Sequence, residues 1–312
     1  MDGSFVSIVC RIATRLVPSA DGLRIMSLSS LRSLSAPLAW RDEVVGLPGR
    51  PELGVRLYGC AACGEGKPLV LHFHAGAFVG GSLDSGAAVA GAFAAAGAAV
   101  ASVDYPLAPA HPFPNAAEAG YAVLEWLERQ RRRLVTARAP IFVAGEEAGG
   151  NLAAAVAMMA RDRAGPEIAG AILLSPMLDV CLATASQRKA QTGPVGCRWA
   201  DGWRAYLARE DDAIHPYAAP GASLRLAGLP PTLLVTAADD PLRDETRGFA
   251  QRLRTAGVPV ELKVLETTTG WPRSYQDPPA AAPWAAALRA PVQAFLHPTT
   301  KQSITTNSGS AT

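Results

Sequence analysis

The chain has 312 residues, 49% hydrophobic and 18% charged, with a formal net charge of +2. That balance gives no electrostatic reason to expect a nucleic acid or an acidic membrane surface as partner. The length suits one large α/β domain, and five cysteines without a disulfide framework's spacing fit reduced cytosol, so a cytoplasmic protein is expected.

Along the chain, Phe5, Ile8, Val9, Ile12 and Leu16 recur at the spacing of an amphipathic helix. Arg11 and Arg15 interrupt the apolar core that a signal peptide would need. Cys60 and Cys63 make one CxxC, with no second pair nearby to complete a zinc site, and no metal is expected. From Pro68 onward short apolar runs alternate with longer helical patterns. The expected strands are 68–73, 98–104, 141–145, 170–175, 232–237 and 260–265. The expected helices are 85–96, 115–133, 148–163, 243–256 and 280–295. The Ala- and Gly-rich stretch 86–103 divides into a helix and a strand, and no membrane span is expected. The basic run at Arg129–Arg133 closes a helix, where cations suit the negative end.

Continuous apolar strands separated by helices imply a mostly parallel sheet covered on both faces, with ligands at the strands' C-terminal edge. Residues 1–40 and about 177–225 break the alternation and are candidate cap segments over that edge. The α/β domain is then 41–298, and the Ser/Thr-rich residues 299–312 read as a disordered tail.

Four motifs lie in this frame. His74-Ala75-Gly76-Ala77-Phe78 follows the first central strand, with small residues where backbone N–H groups could face an oxyanion. Tyr105-Pro106-Leu107-Ala108-Pro109-Ala110-His111-Pro112-Phe113-Pro114 comes next. Gly145-Glu146-Glu147-Ala148-Gly149-Gly150-Asn151 joins a strand to a helix, with glycines suited to a sharp turn. Asp240-Pro241-Leu242-Arg243-Asp244-Glu245 follows the strand at 232–237.

In order and content these motifs resemble those of hormone-sensitive-lipase-like carboxylesterases, which are α/β-hydrolases: an HGGG-type loop, YRLAPEHPFP, the GDSAGGN nucleophile elbow and DPLRDE. The resemblance spans about residues 40–297. It implies an α/β-hydrolase fold with a helical cap, an oxyanion hole made by Gly76, Ala77 and Ala148, and Asp240 as the carboxylate that orients the catalytic histidine. No cofactor is implied. The departures are as specific as the matches. Pro106 and Ala110 replace an Arg and a Glu, Glu146 takes the Asp position, and Glu147 stands where the nucleophilic serine belongs. No histidine occurs in 265–274, where the base should follow the last strand.

An acyl-serine mechanism needs hydroxyl, base and orienting carboxylate, and only the last remains. Three readings stay open. Glu147 could act as general acid or base beside the oxyanion hole, on an apolar carbonyl compound. The protein could instead be a non-catalytic small-molecule binder, as gibberellin receptors of this fold are. Residual ester hydrolysis is the third, against which glutamate's extra length would intrude on the oxyanion site. Trp199, Trp203, Tyr206 and Trp271 are expected to line or cover a pocket for an apolar small molecule that contains the Glu147 carboxyl, with Arg273 a possible partner for it.

Overall fold

The computed structural model describes residues 39–60, 67–190, 195–276 and 282–298. The N-terminal cap segment up to residue 38, with its amphipathic pattern, and the tail at 299–312 lie outside them.

In chain order the first elements are strands β1 (Trp40–Val45), β2 (Leu53–Tyr58) and β3 (Leu69–Phe73), helix α1 (Ala87–Ala95), β4 (Ala99–Val103), α2 (Asn115–Leu134), β5 (Ile141–Glu146), α3 (Ala148–Asp162) and β6 (Gly170–Leu174). Then come α4 (Ala185–Ala190), α5 (Val195–Tyr206), β7 (Thr232–Ala237), α6 (Arg243–Thr255), β8 (Val260–Leu265), α7 (Arg273–Gln276) and α8 (Pro283–Leu296). Two short 3-10 turns, Glu210–Ile214 and Pro220–Ala222, also lie between β6 and β7.

All six expected strands and five expected helices form. The strands join one eight-stranded sheet in the order β1-β2-β4-β3-β5-β6-β7-β8. From β4 to β8 every pairing is parallel, and β3 to β7 are buried throughout, as their unbroken apolar runs require. The β1–β2 hairpin, antiparallel to β4 at the edge, adds two strands that the sequence pattern did not suggest.

Two apolar layers cover the sheet. Residues of α2, α3 and α6 pack on one face, and those of α1 and α8 on the other. Helix α3 is buried at every residue from Ala148 to Ala160, so it has no solvent face for polar side chains. Its glycines allow a very close approach: a Cβ on Gly149 would sit 2.0 Å from the Phe73 carbonyl oxygen. This packing presses the elbow between β5 and α3 against the end of β3. No helix among the described residues is long and apolar enough to cross a membrane.

Candidate active site

The turn from β5 into α3 places Glu147 at the helix's N-cap with φ +52° and ψ −115°. A non-glycine residue in that region is strained by about 1–3 kcal/mol and persists only where its surroundings over-determine it. Here they do. Glu147 N–H donates to Leu174 O at 3.0 Å, and its carbonyl accepts from Met177 N at 2.9 Å and Asn151 N at 3.2 Å.

The loop after β3 arrives beside this elbow. Gly76 (φ +150°) has no room for a side chain, because a Cβ there would lie 1.8 Å from Gly80 O. Ala77 and Phe78 follow with φ of +50° and +66°. This backbone turns the N–H groups of Gly76 and Ala77 towards the elbow. Both donate to one oxygen, Glu147 Oε2, at 2.7 and 2.9 Å. The second oxygen, Oε1, accepts from the Trp199 indole N–H at 2.8 Å. The carboxylate therefore holds two of the three N–H groups expected to face an oxyanion, and its third donor is an indole from the segment between β6 and β7. Ala148 itself opens α3, fully buried.

Glu147 is 1% exposed. Burying a carboxylate is costly unless it is hydrogen-bonded, and donors to a charged group stabilise by roughly 1.5–3 kcal/mol each. The positive end of α3 adds a favourable field at its N-cap. Arg273 is exposed and takes no part, which corrects its expected pairing with Glu147. Trp199→Phe should leave Oε1 without its donor and lower stability by about 1–3 kcal/mol. A thermal melt should register this as a fall of several degrees at this chain length, and an unchanged midpoint would show that the bond is idle.

Among the described residues, side chains of α5 pack over the loop where a pocket around the carboxyl was expected. Tyr206 stacks on Phe78 with ring centroids 3.9 Å apart, and Trp203 packs against Phe78 at 5.1 Å. Trp199, Trp203 and Tyr206 are 1%, 3% and 0% exposed. The backbone of α5 itself rests on the loop: a Cβ on Gly202 would come within 2.3 Å of Ala77 O. Trp271 does not face the site. It joins the apolar layer on the α1/α8 face, stacked on Tyr275 at 4.9 Å and edge-on to Trp284 at 6.1 Å.

Asp240, 2% exposed, is turned inward. Its Oδ1 accepts from Ser175 Oγ at 2.7 Å and Leu242 N at 2.9 Å, and its Oδ2 accepts from Thr236 Oγ1 at 2.5 Å. Burial raises its pKa above the usual carboxylate value against the pull of those donors. The segment that should carry the catalytic histidine is held by the neighbouring Asp239, which accepts from Thr269 N at 2.9 Å, Thr269 Oγ1 at 3.0 Å and Gly270 N at 2.9 Å. Asp239's role had no signal in the sequence beyond its place next to Asp240.

Among the described residues, none of the five histidines hydrogen-bonds to Asp240 or Glu147. His72 Nε2 lies 2.8 Å from Glu146 Oε2, and its Nδ1 lies 2.9 Å from Ser102 Oγ. Glu146 Oε1 also accepts from Ala75 N at 3.0 Å, so this buried chain anchors the oxyanion loop from below. His74 Nδ1 donates to Ala75 O at 2.9 Å, and burial depresses its pKa. His111 is exposed, His215 packs on Phe113 and Tyr217, and His297 ends α8. Among the described residues, no group of three or more His, Cys, Asp or Glu is arranged to hold a metal ion.

Comparison with known proteins agrees with this fold. A family model described as the alpha/beta hydrolase fold matches residues 70–269. The chain is 34% identical over 258 residues to carboxylesterase NlhH of Mycobacterium tuberculosis, covering 78% of this chain and 80% of that protein. It is also 34% identical over 218 residues to the gibberellin receptor GID1A of Arabidopsis thaliana, covering 66% of this chain and 63% of the receptor. Among solved structures, a bacterial heroin esterase superposes with a TM-score of 0.75 at 32% identity, covering 86% of this chain and 88% of that one. The chain belongs to the α/β-hydrolase family, among its esterase-like members.

Proposed function

We propose that this protein keeps the esterase scaffold without the hydrolytic chemistry, as a non-catalytic member of the family whose role is binding. One observation carries the reading: the Glu147 carboxylate holds the N–H groups of Gly76 and Ala77, the donors an esterase would offer to its tetrahedral intermediate. On this reading a substrate carbonyl loses the Gly76 and Ala77 donors, and finds no hydroxyl at the elbow to attack it and no imidazole on Asp240 to take a proton. The role of Glu147 as general acid or base loses support from the same geometry. Its Oε2 is filled by two donors, and its Oε1 sits under the Trp199 indole in a closed site. One relative, GID1A, is a gibberellin receptor, named for reception and not for hydrolysis.

The test is direct. Short-chain nitrophenyl esters should be turned over at no more than the protein-free rate, and a fluorophosphonate probe should label nothing at the elbow. Loss of triad members typically costs a serine hydrolase on the order of 10⁴–10⁶ in turnover. A turnover above about 1 per second, within the ordinary enzymatic range, would overturn the reading.

A further inference from the structure

A cavity of about 520 Å³ opens between the β1–β2 turn, the segment that follows β4 and the first turns of α2. Neither the oxyanion loop, the elbow nor Asp240 lines it, so it is separate from the closed site. Its volume falls in the range of small-molecule pockets, roughly 300–1,000 Å³. Apolar side chains form much of its wall, among them Leu47, Leu53, Leu107 and Ala119.

Charge decides what it can hold. The lining includes two acidic residues, Glu52 and Asp104, one arginine, Arg50, and one histidine, His111. Arg50 is already engaged, with Nη2 3.0 Å from Glu118 Oε2. Glu52 and Asp104 are exposed, and among the described residues neither carboxylate accepts a hydrogen bond. Glu118 is shared with Arg163, so the lining carries two carboxylates without a hydrogen-bond partner against one guanidinium, above an apolar wall. A second, independent feature concerns its origin. Of the ten residues Tyr105 to Pro114, the two that depart from the YRLAPEHPFP-type motif are Pro106 and Ala110, and both line this cavity. A proline and an alanine stand where the motif has a longer arginine and glutamate, so two small side chains leave this wall short.

We propose that this cavity is a ligand site for a small organic cation, an amine or guanidine on an apolar body. The cation would pair with the Asp104 and Glu52 carboxylates, and the apolar body would cover Leu47, Leu53 and Leu107. Two partly solvated charge-assisted contacts favour the cation over a neutral isostere, and the same carboxylates repel an anion.

Calorimetric titration of the full chain at low ionic strength tests this with benzylammonium, and with benzyl alcohol and benzoate as its neutral and anionic counterparts. Benzylammonium is expected to bind at least tenfold more tightly than benzyl alcohol, and benzoate not at all. Glu52→Gln with Asp104→Asn should weaken benzylammonium at least tenfold; both positions are exposed, and an unchanged melting temperature would confirm the fold. Pro106→Arg should abolish binding by placing a cation on the cavity wall. The proposal is overturned if benzylammonium fails to bind at millimolar concentration, or binds no better than benzyl alcohol. It is equally overturned if the double variant binds like the wild type. Because the esterase assay reads a different site, either result can fail without the other.

Discussion

Glu147→Ser should restore the Gly-x-Ser-x-Gly elbow and still hydrolyse nitrophenyl acetate hardly above background, whereas Glu147→Ser with Gly270→His should exceed either single variant at least tenfold. The serine would free the Gly76 and Ala77 donors, which Oε2 now holds at 2.7 and 2.9 Å. Alone it would lack a base, since among the described residues no histidine bonds to Asp240 or to Glu147. Gly270 is the position to change. A Cβ there would meet nothing nearer than Ser274 at 3.8 Å, although its φ of +65° strains any side chain. The neighbouring Trp271 is locked among Tyr275 and Trp284 and is the poorer choice. A tenfold gain corresponds to about 1.4 kcal/mol off the barrier. Vigorous activity in the single serine variant would mean that a histidine already reaches the site, and the assignment of a missing base would fall.

A second large effect concerns pH. Glu245, at the start of α6, is buried under residues 178–187. Its Oε1 accepts from Leu178 N and Asp179 N, and its Oε2 from Gln187 Nε2 at 2.8 Å. Burial outweighs these donors and pushes its pKa up to about 8, while the unfolded chain titrates near 4.3. A raised folded-state value means that the folded form holds the proton more tightly. Its contribution is complete below the unfolded pKa and is lost as pH rises through about 8. Wild-type stability should therefore fall between pH 5 and pH 8, at up to about 1.4 kcal/mol per pH unit. Asp240 acts in the same direction. The Arg-paired carboxylates Asp42, Glu43 and Glu118 have lowered values and change only at more acid pH. Thermal melts at pH 5, 7 and 9 should show the wild type losing ground to Glu245→Gln as pH rises. Parallel curves for the two proteins would refute this origin of the slope.

The central sheet was legible because β3 to β7 are continuous apolar runs, which few other folds can use. The β1–β2 hairpin was not. Trp40–Val45 carries Arg41, Asp42 and Glu43 on an exposed edge, and its partner strand holds the buried Arg56, which bonds to Asp42 at 2.7 Å. Neither strand alternates cleanly. At the site, motif register gave the neighbourhood of Glu147, Gly76, Ala77 and Asp240. Glutamate's extra length even warned of intrusion on the oxyanion position. What could not be read was the partner of the second oxygen, since Trp199 lies 52 residues away on a cap helix. For the same reason an open pocket was expected where α5 closes down. The inward turn of Asp240 depends on Ser175 and Thr236, hydroxyls from two other strand ends whose meeting only the folded sheet reveals.

The carboxylate in the oxyanion hole has a further consequence, in terms of the catalytic cycle. An ester hydrolase finishes each turnover with a carboxylic acid beside these donors and must release it before starting again. Here the acid is part of the polypeptide. Tethered by its own side chain, it is presented to the hole at an effective concentration that an external carboxylate can hardly match. On the proposed reading the molecule stands in what would be a product-bound state, with release, the step that returns an esterase to work, closed to it.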